Sequence, residues 1–340
     1  MKAAFLVKTG HAAGAFEIRE TSKPEISDSQ VLIEVEAFGL NFADVMARLG
    51  MYRDAPPMPA ILGYDVVGNV VEKGKNVDHV ETGDRVLALS RFGGYAEFTA
   101  TEAAGVVKIP ASMDAAEATA LATQYGTAYY MIDDLTKAHE GDHVLIHAAA
   151  GGVGTALVQW AVHKGCIIYG TAGSAAKLEY LKNMGVHHPI NYREEDFFER
   201  IEQIRGESGL DLIFDPVGGK SVKKGMKLLG AGGRLFVFGA SSMTSAKNIF
   251  QKIAVGLGFG FYHPIGLVGP SKSILGVNML RIADNRPETL QRVLNQCVHF
   301  AEQGVFKPTI GGKYKIDQLA EAHDALEKRK TMGKLAIYWK

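Results

Sequence analysis

The sequence predicts an α/β protein in which a doubly wound parallel sheet is inserted into a second, β-rich domain. Three observations carry that expectation. An apolar run at 143–148 enters the turn Ala149-Ala150-Gly151-Gly152-Val153-Gly154, and a helical pattern leaves it. From there to residue 277, strand and helix patterns alternate, as in parallel strands joined by crossover helices. Up to about residue 123 the pattern is different, with short strands set between Gly, Asp and Asn turns, and the tail returns to a mixed pattern. The expected domains are 1–123 with 279–340, and 124–278.

In chain order, residues 2–7 read as a strand. Residues 31–37 alternate, with Val31, Ile33 and Val35 against Leu32, Glu34 and Glu36. Residues 66–72, 85–89 and 95–99 are further short strands, at a spacing that suits a small barrel or sandwich. Residues 51–59 are Pro-rich and read as a surface loop, and 116–135 are mostly helical. Strand 143–148 leads to a helix marked by Val153, Ala156, Leu157, Trp160 and Ala161 and stopped by Gly165. Strand 166–169 leads to a helix from Ser174, its N-cap, to Met184, closed by Gly185. Strand 210–214 precedes helix 220–229. Strand 234–238 precedes a helix starting near Ser245, and strand 273–277 ends the series. In the tail, 287–303 is a helix, Asp317 caps another through Glu327, and 334–339 is a last strand.

Composition excludes several classes. With 340 residues the chain can bury two cores. Basic and acidic residues balance at 37 each, and no basic block exceeds Lys328-Arg329-Lys330, which speaks against a nucleic-acid partner. Two cysteines, Cys166 and Cys297, cannot build a disulfide framework and suit a reducing, cytoplasmic setting. Residues 1–10 lack signal-peptide architecture. The most apolar stretch, 253–269, carries His263, Pro264 and five glycines, so it is too broken to span a membrane. Its first part, 253–262, suits a cap over a greasy cleft, a dimer interface or a peripheral membrane dock. No G-x-S-x-G elbow and no phosphate-loop lysine motif occurs.

Strand, glycine turn and helix together form the context of a dinucleotide site, with backbone N–H groups and the positive helix end meeting a pyrophosphate. The first glycine of G-x-G-x-x-G is replaced by Ala149. An NAD-preferring site places a carboxylate about 20 residues on, at the end of the second strand. No Asp or Glu occurs between Thr155 and Leu178. Gly173, Ser174 and Lys177 stand there instead. A hydroxyl and a cation suit a 2′-phosphate, so the expected cofactor is NADPH. Tyr192 either stacks at the adenine-ribose end or is an ordinary half-buried tyrosine.

Further motifs complete a resemblance. They are Asn41-Phe42-Ala43-Asp44 followed by Arg48-x-Gly50-x-Tyr52, then Leu62-Gly63-Tyr64-Asp65, Gly83-Asp84-Arg85-Val86 and Asp215-Pro216-Val217-Gly218-Gly219. With the glycine turn they resemble the zinc-free quinone oxidoreductase branch, the zeta-crystallin-like enzymes, of the medium-chain dehydrogenase/reductase superfamily. The runs 170–177 and 185–192 look most like its vesicle amine transport protein subfamily. The resemblance implies a Rossmann domain and a GroES-like catalytic domain. It puts cofactor contacts on Asn41, Asp44, Thr127, Ala150, Gly151, Gly152, Val153, Gly173, Ser174, Lys177, Tyr192, Phe238, Ser241 and Asn278, with Lys334 reaching a phosphate. It puts the active cleft near Asn41, Tyr52 and Tyr64. Zinc-using relatives carry Cys where Asn41 stands, His where Tyr64 stands and Cys near Thr123, so no metal is expected.

Without a Lewis acid, hydride transfer needs an acceptor that is already electron-poor, such as a quinone or an α,β-unsaturated carbonyl. The expected reaction is NADPH-dependent reduction of such a substrate. Tyr52 is the leading candidate for proton donor, with Tyr64 and Asn41 assisting; the other reading of Tyr52 is a gating or cofactor-packing residue on the Pro-rich loop. A homodimer is expected. The competing expectation is an NADPH-binding protein with little turnover that acts through partners or membranes.

Overall fold

The computed structural model describes residues 1–246 and 248–339. The chain divides into two compact units, 1–127 with 279–340, and 128–278. In chain order the first unit begins with β1 (Lys2–Leu6), β2 (Phe16–Glu20), β3 (Gln30–Leu40), α1 (Phe42–Arg48), β4 (Ala60–Ile61), β5 (Asp65–Lys73), β6 (Arg85–Leu89), β7 (Phe98–Glu102) and β8 (Val106–Lys108). Then come α2 (Ala115–Ala120) and α3 (Gly126–Tyr129). The second unit holds β9 (His143–Ile146), α4 (Gly152–His163), β10 (Ile167–Ala172), α5 (Ala175–Asn183), β11 (His188–Asn191), α6 (Phe197–Arg205), β12 (Leu210–Asp215), α7 (Lys220–Leu228), β13 (Leu229–Val237), α8 (Ile249–Gly258), α9 (Pro264–Val268) and β14 (Ser273–Gly276). The first unit resumes with α10 (Met279–Asn285), α11 (Pro287–Glu302), β15 (Ile310–Lys315), α12 (Leu319–Glu327) and β16 (Lys334–Tyr338).

The long strand β3 organises the first unit. It pairs antiparallel with β16, β5 and β7, so the two ends of the chain share one sheet in the order β15-β16-β3-β5-β6-β8. Glu34 and Glu36 face water while Val31, Ile33 and Val35 enter a core with Phe38, Val66, Val86 and Ile337. The strand expected at 95–99 begins instead at Phe98. Tyr95 is drawn into the core: its amide donates to Leu62 O at 2.9 Å, and its ring lies against Gly63, where a Cβ would sit 2.5 Å from Tyr95 Cδ1. Asp317 does not cap α12. A 3-10 turn, Ile316–Gln318, intervenes, and Gln318 accepts from Lys315 N at 3.1 Å.

The second unit is the expected Rossmann sheet. All six strands are parallel in the order β11-β10-β9-β12-β13-β14. The order reverses between β9 and β12, and ligands of such sheets bind beyond the carboxyl ends of the strands at that point. Val144, Leu145 and Ile146 of β9 are fully buried, as a strand covered on both faces requires. The helix expected from Ser245 starts at Ile249, because Asn248 supplies the N-cap by accepting from Gln251 N at 2.9 Å.

Candidate functional site

The glycine turn is built at backbone distance. Ala148 takes a left-handed φ of 52°, Ala149 N donates to Thr171 O at 3.0 Å, and Gly151 N returns to Ala148 O at 2.8 Å. A Cβ on Gly154 would strike Ala148 O and the Ala149 backbone, so only glycine lets α4 start this close to β9. Ala149 is tolerated in the first glycine place because the methyl is buried against Gly170, whose own Cβ would lie 3.2 Å from it. Gly151, Gly152 and Val153 remain half-exposed at the positive end of a 12-residue helix, while Ala150 is buried.

At the end of β10, Ser174 is exposed and occupies the N-cap position of α5 without a side-chain cap bond. Gly173 is bare for a reason: a Cβ there would sit 2.6 Å from the Tyr192 hydroxyl and 3.1 Å from Arg193 Nε. Tyr192 and Arg193 therefore lie over the loop that carries Ser174, and Lys177 is half-buried one turn further on. Hydroxyls, a guanidinium and an ammonium fit a 2′-phosphate. Arg193 escaped the sequence reading; its signal was a basic residue directly after Tyr192. Further along, Phe238 N donates to Asp215 O and Ser241 N to Pro216 O, each at 3.1 Å, which ties the two loops after β12 and β13 together. Phe238 and Ser241 are half-buried and Asn278 is exposed.

In the first unit, Asn41 precedes α1 and Asp44 sits in its first turn, with Asn41 N donating to Asp44 Oδ2 at 2.8 Å. Asn41 Nδ2 donates to Asp65 Oδ2 at 2.6 Å. A wide π-type turn, Leu121–Tyr125, turns the Thr123 amide out to Asp65 Oδ1 at 3.0 Å, and the Thr123 hydroxyl joins it. Lys334 closes the cluster, donating to Asp65 and, at 3.0 Å, to Asn41 Oδ1. Both partners of this ion pair are fully buried. Gly39 leaves the lane for the Lys334 stem, since any Cβ there would collide with its Cε. The ammonium expected at a phosphate is thus directed to Asp65 and Asn41. Thr127, also buried, donates to Thr123 O at 2.6 Å.

Beside this cluster lie three phenols. Tyr52 and Tyr64 meet edge to face with ring centroids 6.5 Å apart. Tyr95 donates to or accepts from His323 Nε2 at 3.1 Å. Burial pushes all three phenols up, and it pushes Asp44 up to about 7, against the opposing pull of the Asn41 amide. Burial holds His323 down, to about 3, so it is neutral. The buried atoms Asp44 Oδ1 and Tyr64 OH have no hydrogen-bond partner.

A profile described as "Zinc-binding dehydrogenase" matches residues 152–294, and one described as "Alcohol dehydrogenase GroES-like domain" matches 27–111. Human "Quinone oxidoreductase" is 32% identical over 302 residues, 88% of this chain and 86% of that protein. The chain belongs to the medium-chain dehydrogenase/reductase superfamily. Within the superfamily it is also similar to the zebrafish (Danio rerio) "Synaptic vesicle membrane protein VAT-1 homolog", 33% identical over 93% of this chain and 65% of that protein's length. The crystal structure of Escherichia coli quinone oxidoreductase complexed with NADPH superposes with a TM-score of 0.86 at 27% identity, covering 99% of this chain and all of that one.

The positions that the resemblance assigns to zinc ligands hold Asn41 and Tyr64, with Thr123 near the third. Amide, phenol and hydroxyl do not make a zinc donor set. Among the described residues no three His, Cys, Asp or Glu side chains gather as a metal group. Both cysteines are buried, and burial pushes Cys166 up to about 12 and Cys297 up as well, so neither is poised as a nucleophile. Among the described residues no helix is long and apolar enough to cross a membrane.

Proposed function

We propose that the protein is a zinc-independent, NADPH-dependent oxidoreductase whose acceptor is a quinone or an α,β-unsaturated carbonyl. One observation carries the reading. At the positions that the resemblance gives to zinc ligands, this chain holds the Asn41 amide, the Tyr64 phenol and the Thr123 hydroxyl, with the Tyr52 ring against Tyr64 and the buried acid Asp44 bonded to Asn41. Such a set can position and protonate an oxygen but cannot polarise an unactivated carbonyl.

The residues divide the work. The N-terminal amides of α4, at Gly152 and Val153, would take the pyrophosphate, with Ala150 and Gly151 shaping the turn. Ser174, Lys177, Tyr192 and Arg193 would hold the 2′-phosphate end. Asn41, Asp44, Thr127, Phe238, Ser241 and Asn278 keep the cofactor roles that the family resemblance assigns. NADPH, when bound, supplies the hydride. Tyr52 is the half-buried phenol at the edge of the cluster, and it hands a proton to the acceptor oxygen as charge builds there. Tyr64 assists by packing edge to face against the Tyr52 ring. Asn41, clamped by Asp65 and Lys334, is held rigid.

Tyr52→Phe tests the donor role. The second-order rate constant for an enone falls at least tenfold if Tyr52 is the acid. An unchanged constant removes it from that role.

The same reading takes the chain as a homodimer. Phe250 is 79% and Phe261 90% exposed, Ile253, Leu257 and Ile265 are exposed along the same apolar stretch, and β14 is an end strand of its sheet. Sedimentation equilibrium at micromolar protein tests it; a monomer would leave this face for a partner or a lipid surface.

A further inference from the structure

Tyr52 stands on a loop whose own backbone holds it weakly. Pro56 and Pro57 have no amide hydrogen to donate. Among the described residues the backbone of 52–58 makes one backbone hydrogen bond, from Ala55 N to Tyr52 O at 3.2 Å, and that bond stays inside the loop. The described hydrogen bonds and ion pairs that leave 52–58 all start at Asp54, whose side chain is 14% exposed. Arg281 on α10 sends Nη2 to Asp54 Oδ1, and its Nη1 lies 3.6 Å from Asp284 Oδ2. Asp284 Oδ2 also takes Arg91 Nη1, on the loop after β6. Buried Met279 and Leu280 seat α10, so the arginine works from a fixed helix. A chain of rings runs beside this chain of charges. Tyr52 meets Tyr64 edge to face, and Tyr64 meets Phe92 with centroids 5.0 Å apart. Phe92 follows Arg91 in sequence, so the charges and the rings join the same two loops.

We propose that Arg281 is a positioning residue for Tyr52: through Asp54 it straps the Pro-rich loop down and keeps the Tyr52 ring against Tyr64. This rests on the reading of Tyr52 as proton donor given above. Arginine suits the task because one planar guanidinium can face two carboxylates at once, on Asp54 and Asp284, where an ammonium is a single point of charge. Arg281, Asp284 and Arg91 are exposed, and an isolated exposed pair contributes little to stability. Here the pairs form a chain, and the loop they hold has few other polar ties, so a weak strap still decides where the loop rests. Rate is more sensitive than stability to such a strap, because proton donation requires the phenol at bonding distance from the acceptor oxygen. Cutting the strap should therefore leave the fold intact and act on turnover through Tyr52.

Arg281→Gln, Asp54→Asn and the double variant, made in the full chain, test this. In the ligand-free protein the amides of 52–58 should exchange hydrogen about three- to fivefold faster in each variant and no faster in the double, while those of β5 keep wild-type rates. At saturating NADPH, kcat for a quinone or enone that the wild type reduces should fall about three- to tenfold in each, with acceptor KM within about twofold, and the double should match the singles. In a Tyr52→Phe background, Arg281→Gln should change kcat by less than about twofold, because the residue it positions is gone. Wild-type exchange at 52–58 in Arg281→Gln, a loss carried by acceptor KM, losses that add in the double variant, or a full loss in the Tyr52→Phe background overturns the positioning role and leaves the reductase reading standing. Unchanged kcat in Tyr52→Phe alone removes the donor and the positioning role together. A wild-type protein that reduces no acceptor overturns the reductase reading and the positioning role with it, whatever the exchange shows.

Discussion

Lys334→Met is the sharpest structural perturbation available. Methionine matches the length of the lysine stem and fits the lane that Gly39 leaves open, so the change removes chiefly the ammonium. Asp65 then keeps Asn41 Nδ2 and both Thr123 donors but loses its only cation among the described partners, in a site where neither partner is exposed. Breaking a buried pair from one side costs about 3–5 kcal/mol. A ceiling applies, because the carboxylate can instead take up a proton. At pH 7 that uptake costs an ordinary carboxyl of pKa about 3.9 roughly 4 kcal/mol, at about 1.36 kcal/mol per pH unit. The expected loss is therefore about 3–4 kcal/mol at pH 7, shrinking toward about 1.5 kcal/mol at pH 5 as protonation becomes easier. For a unit of this size the loss at pH 7 lowers Tm by roughly 10 °C. Urea unfolding at both pH values measures it. Trp339, packed on the core of the unit that holds Lys334, reports this transition, and Trp160 reports the other unit. A loss below about 1 kcal/mol at pH 7, or one that grows on acidification, would refute the view that Lys334 chiefly neutralises Asp65.

Four further outcomes are expected. Asp44 is raised in the folded state from 3.8 to about 7, so wild-type stability should decline between those pH values by up to about 1.4 kcal/mol per unit. Asp44→Asn should flatten that decline in urea titrations, gaining on wild type as pH rises. Gly154→Ala would drive a Cβ into the Ala148 carbonyl, so it should weaken NADPH binding at least tenfold by fluorescence titration while the far-ultraviolet spectrum stays native. Arg193→Ala should weaken NADPH binding about tenfold and leave NADH unchanged; equal losses for both would remove Arg193 from the 2′-phosphate end. Cys166 and Cys297 should resist a thiol-labelling reagent in the native protein and both react in denaturant.

How much of this was legible in the sequence depends on range. Strand–turn–helix periodicity around Ala149 to Gly154 is local, so the parallel sheet and its nucleotide turn could be read directly. β11, with His188-Pro189-Ile190-Asn191, has no alternation and few strand formers; it is a strand only because β10 lies beside it. Strand 95–99 slipped because Gly63 opens a slot for Tyr95, a contact 32 positions away that no window contains. The site divides in the same way. Asn41, Asp44, Tyr52 and Tyr64 stood out through the family's motifs. The pairing of Lys334 with Asp65 spans 269 positions, and the path that brings them together is the β16–β3–β5 sheet, so beside the phosphate contact that the resemblance assigned to Lys334 this partner could not be read from the sequence. Arg193 was passed over because its meaning depends on the bare face of Gly173 across β10 and β11.

The central claim is that this chain moves hydride from NADPH to an activated acceptor without a metal. It is tested most directly by following NADPH absorbance with chelator-treated protein across a panel of quinones and short enones. The account predicts saturable oxidation of NADPH, faster than with NADH and insensitive to added zinc. Saturable NADPH binding with no oxidation above the protein-free rate, or activity that returns only with zinc, would contradict it.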